Sequence, residues 1–163
     1  MRILGIDPGY AIVGFGVVDY DGYQFHPVFY GAITTEAHTP FTRRLCCIDD
    51  DIHEVLRRFN PECMAIEKLY FTNNKTTGID VAQARGVLVV AAAKAGLPVY
   101  EYGPMQVKMA ICGYGNADKQ QMMQMTQRIL HLEQLPRPDD AADALALAIC
   151  HGHNARNSMR GWS

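Results

Sequence analysis

The feature that most constrains this chain is an apolar segment over residues 3–16, which carries one acid where its first strand ends. Side chains alternate between the two faces of a strand, so Asp7 shares a face with Ile3, while Leu4 and Ile6 lie on the other. The Pro-Gly dipeptide after Asp7 interrupts strand pairing, because proline has no N–H and glycine tolerates positive φ. The segment therefore predicts a strand, a tight turn and a second strand.

Two interpretations of Asp7 are open from this segment alone. Asp-Pro-Gly is common in solvated turns, where the aspartate has only a local role. If the end of the strand is buried, however, the acid is costly to hold there without a partner. The rest of the chain has to decide between a turn residue and a functional acid.

The length and charge of the chain limit its organisation. A chain of 163 residues suits one domain, which we expect over residues 1–153, with a flexible polar tail over 154–163. The formal net charge of −2 does not indicate a nucleic-acid-binding protein through bulk charge. It still permits a local basic face, since phosphate contacts depend on where lysines and arginines lie.

The cysteines and apolar runs indicate the compartment. The five cysteines are odd in number and form no Cys-x-x-Cys pair, which favours buried, reduced thiols over a disulfide framework or a zinc site. No signal peptide precedes the first strand. The longest apolar run, residues 87–93, is far shorter than the roughly 18 residues of a membrane span. We expect a cytoplasmic protein without a membrane partner.

Hydrophobic periodicity and turn residues divide the chain into strands and helices. The predicted strands cover 3–7, 13–20, 23–33, 63–67 and 97–102, and the predicted helices cover 40–59, 79–95, 104–112, 118–132 and about 139–151. Asp21-Gly22 predicts a two-residue hairpin turn, and Pro27 predicts a bulge or a sheet edge. The order of elements predicts an α/β fold with a five-stranded mixed sheet, three antiparallel strands then two parallel strands, flanked by helices.

Three further acids lie where this fold would bring them towards Asp7. Glu67 also ends an apolar strand, and neighbouring parallel strands place such ends at the same edge of the sheet. Asp140 and Asp143 are three residues apart, so both project from one side of the first turn of the last helix. The alternative is that this pair only caps the helix and stabilises its dipole, which leaves the strand-end acids unexplained.

A cluster of four acids favours a metal site. Two carboxylates about 4 Å apart repel by roughly 4 kcal/mol at an effective dielectric constant near 20. Several such repulsions persist in a folded site only if cations or protons offset them. Oxygen ligands suit Mg²⁺ or Mn²⁺, and two such ions can hold the attacking water and the leaving oxygen of a phosphodiester displacement.

Six motifs spread from Ile3 to about His151 together resemble the RuvC family of bacterial Holliday junction resolvases. They are Asp7-Pro-Gly, Ile66-Glu67 followed by an aromatic, Gln83-Ala-Arg-Gly86, Gln106-Val-Lys108, Ala117-Asp-Lys119 and Asp140-Ala-Ala-Asp143-Ala-Leu. The resemblance implies a ribonuclease H-like fold and a homodimer that makes paired, symmetric nicks in four-way DNA junctions with Mg²⁺ or Mn²⁺. It also implies a role in recombination and repair beside the RuvA–RuvB branch-migration machinery.

The resemblance assigns roles to individual residues. Asp7, Glu67, Asp140 and Asp143 match the catalytic, metal-binding acids, although Asp139 leaves open which of two adjacent acids coordinates. Lys108 and Lys119 match the family's basic positions near the DNA backbone. Tyr70 falls where many relatives have a phenylalanine at the junction centre, and Phe71 is next to it, so either ring is a candidate for stacking. Further candidates for phosphate contact are Arg85 and Lys75.

Three other functions are compatible with parts of the sequence. A nuclease of the same fold that acts on structured RNA differs only in substrate. An ATP-binding domain of the actin and sugar-kinase kind also has an acid and glycines in its first hairpin, but it normally needs two such domains. The third is a binding module with degenerate chemistry, which the presence of all four acids disfavours.

Overall fold

A computed structural model describes the backbone of residues 1–70 and 75–160, and the side chains of residues 1–70 and 77–155. Its strands are β1 (Arg2–Asp7), β2 (Ile12–Tyr20), β3 (Phe25–Thr34), β4 (Cys63–Glu67) and β5 (Val99–Tyr102). Its helices are α1 (Phe41–Phe59), α2 (Lys75–Lys94), α3 (Pro104–Cys112), α4 (Lys119–Ile129) and α5 (Asp139–Arg160).

The five strands form one mixed sheet in the order β3-β2-β1-β4-β5. The pairs β1–β2 and β2–β3 are antiparallel, whereas β1–β4 and β4–β5 are parallel. Short turns join the first three strands, and the parallel strands are reached through the helical crossovers that such pairing requires. The predicted arrangement of three antiparallel and two parallel strands is confirmed.

Apolar side chains on the two faces of the sheet form two cores. Leu4, Ile6 and Ile66 pack with the buried faces of α1 and α2 on one side. Ile3 and Ala65 pack with α5 and α3 on the other. The alternation expected for β1 is therefore observed, and it directs Asp7 towards the α5 side.

Helix α5 lies unusually close to the two central strands. A Cβ atom added to Gly5 would overlap the carbonyl oxygen of Ala144, and one added to Gly14 would overlap that of Asp140. Only glycine permits this approach of the helix backbone to the sheet. The glycines of β1 and β2 thereby set the position of the first turn of α5.

The β2–β3 connection differs from its prediction. Strand β3 begins at Phe25, so residues 21–24 form a four-residue loop in place of a two-residue turn. The Asp21 carboxylate accepts hydrogen bonds at 2.8 Å from the backbone N–H groups of Tyr23 and Gln24, and this closes the longer loop. The bulge and edge expected from Pro27 are confirmed, since the register shifts opposite it and β3 is an edge strand.

Three helix boundaries were predicted wrongly. Helix α4 ends at Ile129 and not at residue 132. Helix α2 begins at Lys75 and not at residue 79. Helix α5 continues past His151 to Arg160, because Gly152 does not end it: its Cα packs against the ring of Phe25, where a Cβ would overlap. The His153 ring also contacts Phe25, at 5.1 Å between centroids. The division into a domain over 1–153 and a tail over 154–163 stays a prediction.

The cysteines and the helix lengths bear on the remaining expectations. The five cysteines are free, and Cys63 and Cys150 are buried, whereas Cys46 and Cys47 are exposed, so the expectation of buried thiols is wrong for those two. Among the described residues, no helix combines the length and the apolar character that crossing a membrane demands.

Candidate active site

The ends of β1 and β4 bring two acids side by side. The parallel register pairs Ile6 with Ile66, so Asp7 and Glu67 are the next residues at the same edge of the sheet. Both carboxylates face α5, because Asp7 lies four residues after Ile3 and Glu67 two residues after Ala65, and both of those side chains are buried on that side. The predicted convergence of the two strand-end acids is therefore observed.

The first turn of α5 supplies the second pair of acids. Gly14 of β2 pairs with Asp7 of β1, and the missing side chain of Gly14 leaves room for the backbone of Asp140. Asp143 follows on the same side of the helix. At the start of the helix, the backbone carbonyl oxygen of Pro138 accepts a hydrogen bond of 2.9 Å from the N–H of Ala141.

The electrostatics of Asp7 demonstrate how closely the four carboxylates are grouped. Burial, followed by the charges of Asp143, Glu67 and Asp140, raises the pKa of Asp7 from its ordinary 3.8 to about 8. A neighbouring carboxylate stabilises the protonated form because two negative charges repel. Asp7 is thus the acid most strongly influenced by the others.

Glu67 and Asp143 are shifted in the same direction. Burial raises the pKa of Glu67, as does the charge on Asp143, while its contact with Asp7 acts in the opposite sense. Burial also raises the pKa of Asp143, although Lys119 partly offsets this. Burial and neighbouring charges thus raise the pKa values of three acids in one place. Such groups of shifted acids are typical of functional sites.

Lys119 is the cation nearest to these acids. Its Nζ lies 3.4 Å from Oδ2 of Asp139 and 3.9 Å from Oδ2 of Asp143. Burial opposes the charge of Lys119, but Asp143 and Asp139 outweigh it and raise its pKa. The Lys119 side chain is 59% exposed, so its ammonium group can be reached from solvent at the rim of the site.

Asp139 and Asp140 have different surroundings. Asp139 accepts a hydrogen bond from Nη1 of Arg137 at 3.1 Å and pairs with Lys119, so its charge is balanced by cations. Asp140 interacts with Asp7, whose pKa it raises. The geometry favours Asp140 as the member of the acid cluster and Asp139 as a partner of the basic side chains.

An open cleft of about 280 Å³ lies against the acids. Asp7, Glu67 and Asp143 line it, while Asp140 adjoins it through Asp7. The two predicted basic residues, Lys108 of α3 and Lys119 of α4, line the same cleft. A phosphate group in this cleft would meet both carboxylates and ammonium groups.

The chemistry of these donors fits a hard divalent cation. The cluster offers only carboxylate oxygens, which suit Mg²⁺ or Mn²⁺. In the part of the chain that the structure describes, no three acidic, histidine or cysteine side chains are already arranged as a closed ligand set.

The remaining predicted DNA-binding residues are distributed differently. Tyr70 is 59% exposed just after β4, with Nζ of Lys68 5.8 Å from its ring centroid and its hydroxyl beside Gly103. Phe71 and the side chain of Lys75 lie outside the described residues. Arg85 does not lie in the cleft: it is largely buried behind β4.

Some features of the site were missed from the sequence. Gly14 shows no motif, although a glycine inside a strand signals close backbone approach and this signal was available. The pairing of Asp139 with Lys119 joins α5 to α4 and gives no local sequence signal.

Comparison with known proteins agrees with this geometry. The sequence model of the family described as crossover junction endodeoxyribonuclease RuvC matches residues 3–151. Curated RuvC proteins of Desulfitobacterium hafniense and Brevibacillus brevis are 52% and 56% identical to the chain, covering 99% and 93% of it and 99% and 91% of their own lengths.

A solved structure has the same architecture. Thermus thermophilus RuvC in complex with a Holliday junction substrate superposes with a TM-score of 0.92 at 40% identity, covering 97% of this chain and 96% of that chain. The predicted ribonuclease H-like fold is confirmed. The chain therefore belongs to the RuvC family of crossover junction endodeoxyribonucleases.

Proposed function

We propose that this chain is a structure-selective endonuclease that resolves four-way DNA junctions in homologous recombination and repair. The observation that carries the proposal is the convergence of Asp7, Glu67, Asp140 and Asp143 from three separate elements at a cleft that two lysines also line. The Thermus relative with the same fold is described in complex with a Holliday junction substrate, which supports the class of substrate.

The four acids are the proposed catalytic and metal-binding residues. Divalent metal use is typical of this family, and we propose two Mg²⁺ ions per active site, with Mn²⁺ as a substitute. Such a pair, when bound, activates the attacking water and stabilises the leaving oxygen of a phosphodiester. Asp7, Glu67, Asp140 and Asp143 would hold it, and burial together with neighbouring acids raises the pKa values of Asp7, Glu67 and Asp143. Asp7 must lose its proton for this, so metal and proton compete there.

The lysines and Tyr70 are the proposed DNA contacts. Lys108 and Lys119 line the cleft together with the acids, where each can bind a phosphate oxygen beside the scissile bond. The exposed ring of Tyr70 follows directly from the strand that carries Glu67, so it can stack on a base at the junction centre. Phe71, Lys75 and Arg85 remain predictions as DNA contacts.

Paired, symmetric nicks require two active sites, and we propose a homodimer. Helix α2 supports this because it is apolar on two sides. Ala84 and Leu88 are buried in the core, while Ile79 and Val90 are 56% and 51% exposed. A second copy that covers this face would remove apolar area from water. Association with RuvA–RuvB is proposed from the resemblance alone.

Cleavage of a synthetic mobile four-way junction tests the proposal. The strands are end-labelled in turn, and the products are mapped with Mg²⁺ and with chelator. We expect nicks in two strands of like polarity, related by the symmetry of the junction, and no cleavage of plain duplex. Cleavage of structured RNA in preference to the junction would favour the RNA alternative. Tight ATP binding without nuclease activity would favour the actin-like alternative, and family membership favours neither.

A further inference from the structure

Arg85 of α2 contacts the strand that carries a candidate catalytic acid, but it does so away from the cleft. Its Nε donates a hydrogen bond of 3.0 Å to the backbone carbonyl oxygen of Glu67. Its Nη2 lies 3.4 Å from Oε1 of Glu101 on β5. The side chain is only 17% exposed. One guanidinium group thus bridges the carboxyl ends of two neighbouring strands.

The two faces of β4 separate Arg85 from the cleft. Met64 and Ile66 point into the core formed with α1 and α2, and Glu101 pairs with Ile66 on the next strand. The Glu67 side chain points to the opposite face and lines the cleft. Arg85 therefore holds the main chain of Glu67 from behind, while the carboxylate is directed towards Asp7.

Burial of this guanidinium has a cost that needs an explanation. Nη2 is buried, and it has no hydrogen-bond partner among the residues whose side chains are described. The approach to Glu101 brings the charges close without hydrogen-bond geometry. A buried, partly unsatisfied cation destabilises a fold unless its position is required, and such ion pairs are weak evidence for stability. Its fixed bidentate shape suits it to joining two strand ends.

We propose that Arg85 is a positioning residue that fixes the strand end of Glu67 relative to Asp7, and is not a phosphate contact. This inference rests on the proposed nuclease function. Through Glu101 and the paired ends of β4 and β5, the same contact limits the direction in which the chain leaves β4 towards Tyr70. The conformation of the acid cluster would then depend on an arginine that never touches DNA or metal.

The test compares Arg85→Gln, Arg85→Lys, Glu101→Gln and the double variant Arg85→Gln/Glu101→Gln with the wild type. Arg57→Lys is the matched control, because Arg57 is an exposed arginine of α1 that pairs with Glu54. Three quantities are measured: junction binding without divalent metal over a range of salt concentrations, the single-turnover cleavage rate at saturating protein, and the thermal unfolding temperature of the metal-free protein.

If Arg85 is a positioning residue, its replacement should slow cleavage without weakening junction binding. Arg85→Gln is expected to bind the junction with nearly wild-type affinity and an unchanged salt slope, while its single-turnover rate falls by about 10- to 100-fold, as for residues that orient metal ligands. Arg85→Lys keeps one donor for the Glu67 carbonyl and should recover part of the rate. Glu101→Gln should lose less, and the double variant should lose no more than Arg85→Gln, because both act through one contact.

The alternatives give different results. If Arg85 contacts a phosphate, its replacement will weaken junction binding and lower the salt slope by about one. That result would overturn the proposal. Wild-type cleavage in Arg85→Gln would overturn it too. If Arg85→Gln unfolds, Glu101→Gln decides, and a folded Glu101→Gln with an unchanged rate counts against positioning. If the wild type and Arg57→Lys do not nick the junction at all, the proposed function fails and not this inference alone.

Discussion

Asp7 is the residue on which the candidate site depends most. It lies at the edge of the sheet beside Glu67 and receives the electrostatic influence of all three other acids. The same residue is ambiguous in the sequence, where Asp-Pro-Gly also fits a solvated turn. Its burial beside Glu67, which raises its pKa, favours a functional acid over a solvated turn residue, because a turn aspartate surrounded by water is not desolvated.

Replacing Asp7 with asparagine separates cleavage from binding. The amide keeps the size of the side chain but cannot supply a carboxylate to a cation, so we expect the cleavage rate to fall by more than about 100-fold. Junction affinity in the absence of metal should stay close to that of the wild type, since the lysines of the cleft are unchanged. Asp139→Asn is the matched control and should retain substantial cleavage. A nicking rate near the wild type in Asp7→Asn would contradict the assignment.

Protonation of Asp7 also makes the stability of the metal-free protein depend on pH. Its pKa is about 8 in the folded chain and near 3.8 when unfolded, so between these values the folded state binds the extra proton. The free energy of unfolding therefore decreases as pH rises from about 4 to about 8, at up to about 1.4 kcal/mol per pH unit for a full proton.

Chemical unfolding in chelator across that range checks this dependence. Asp7→Asn should show a flatter profile and be more stable than the wild type near pH 8. Glu67 and Asp143 have pKa values raised in the same direction, so some dependence should persist in the variant. If the free energy of unfolding of the wild type instead rose towards pH 8, in step with that of the variant, the result would contradict the charge cluster.

At the scale of elements, the first turn of α5 is held against the sheet by the absence of two side chains. Gly5 and Gly14 let the helix backbone approach β1 and β2, and Asp140 lies at that contact. The sequence predicted the helix and its acids, because periodicity and the Asp pair are local signals. It could not distinguish Asp139 from Asp140, since that difference depends on contacts with Lys119 of α4 and Arg137.

Gly14→Ala tests the close approach. The new methyl group would overlap the Asp140 carbonyl, so we expect the free energy of unfolding to fall by about 1–3 kcal/mol, as for overpacked cores. Cleavage should fall as well, because Asp140 is displaced. Gly78→Ala is the matched control: among the side chains that the structure describes, nothing lies within 4 Å of a Cβ added there, and the change should be neutral or stabilise α2 by up to about 1 kcal/mol. Equal effects of the two changes would contradict this account.

At the scale of the whole molecule, the sequence was most informative where local pattern and topology agree. The strand-end acids could be placed because parallel neighbours end at the same edge, and the β3 bulge because Pro27 cannot donate a hydrogen bond. The end of α5 could not be predicted, since Gly152 is used to pack against Phe25 and not to stop the helix. Contacts between residues distant in sequence, such as that between Arg85 and Glu67, could not be predicted from local patterns either.

On the proposed function, recognition of a branched substrate depends on both the cleft and the exposed ring of Tyr70. Tyr70→Ala should weaken binding to a four-way junction by about 1–3 kcal/mol, the typical effect of losing one stacked base. Binding to plain duplex should hardly change. Tyr70→Phe keeps the aromatic face and should behave as the wild type. These affinities are measured by fluorescence anisotropy at matched salt, and equal losses on junction and duplex would contradict stacking at the junction centre.

Anomalous diffraction from a crystal soaked in Mn²⁺ tests the central claim most directly, because it locates the ions without depending on turnover. We expect anomalous density among the carboxylates of Asp7, Glu67, Asp140 and Asp143, with Asp139 still paired to Lys119 and Arg137. Four side chains that remain apart, with no manganese among them at saturating concentration, would contradict the account.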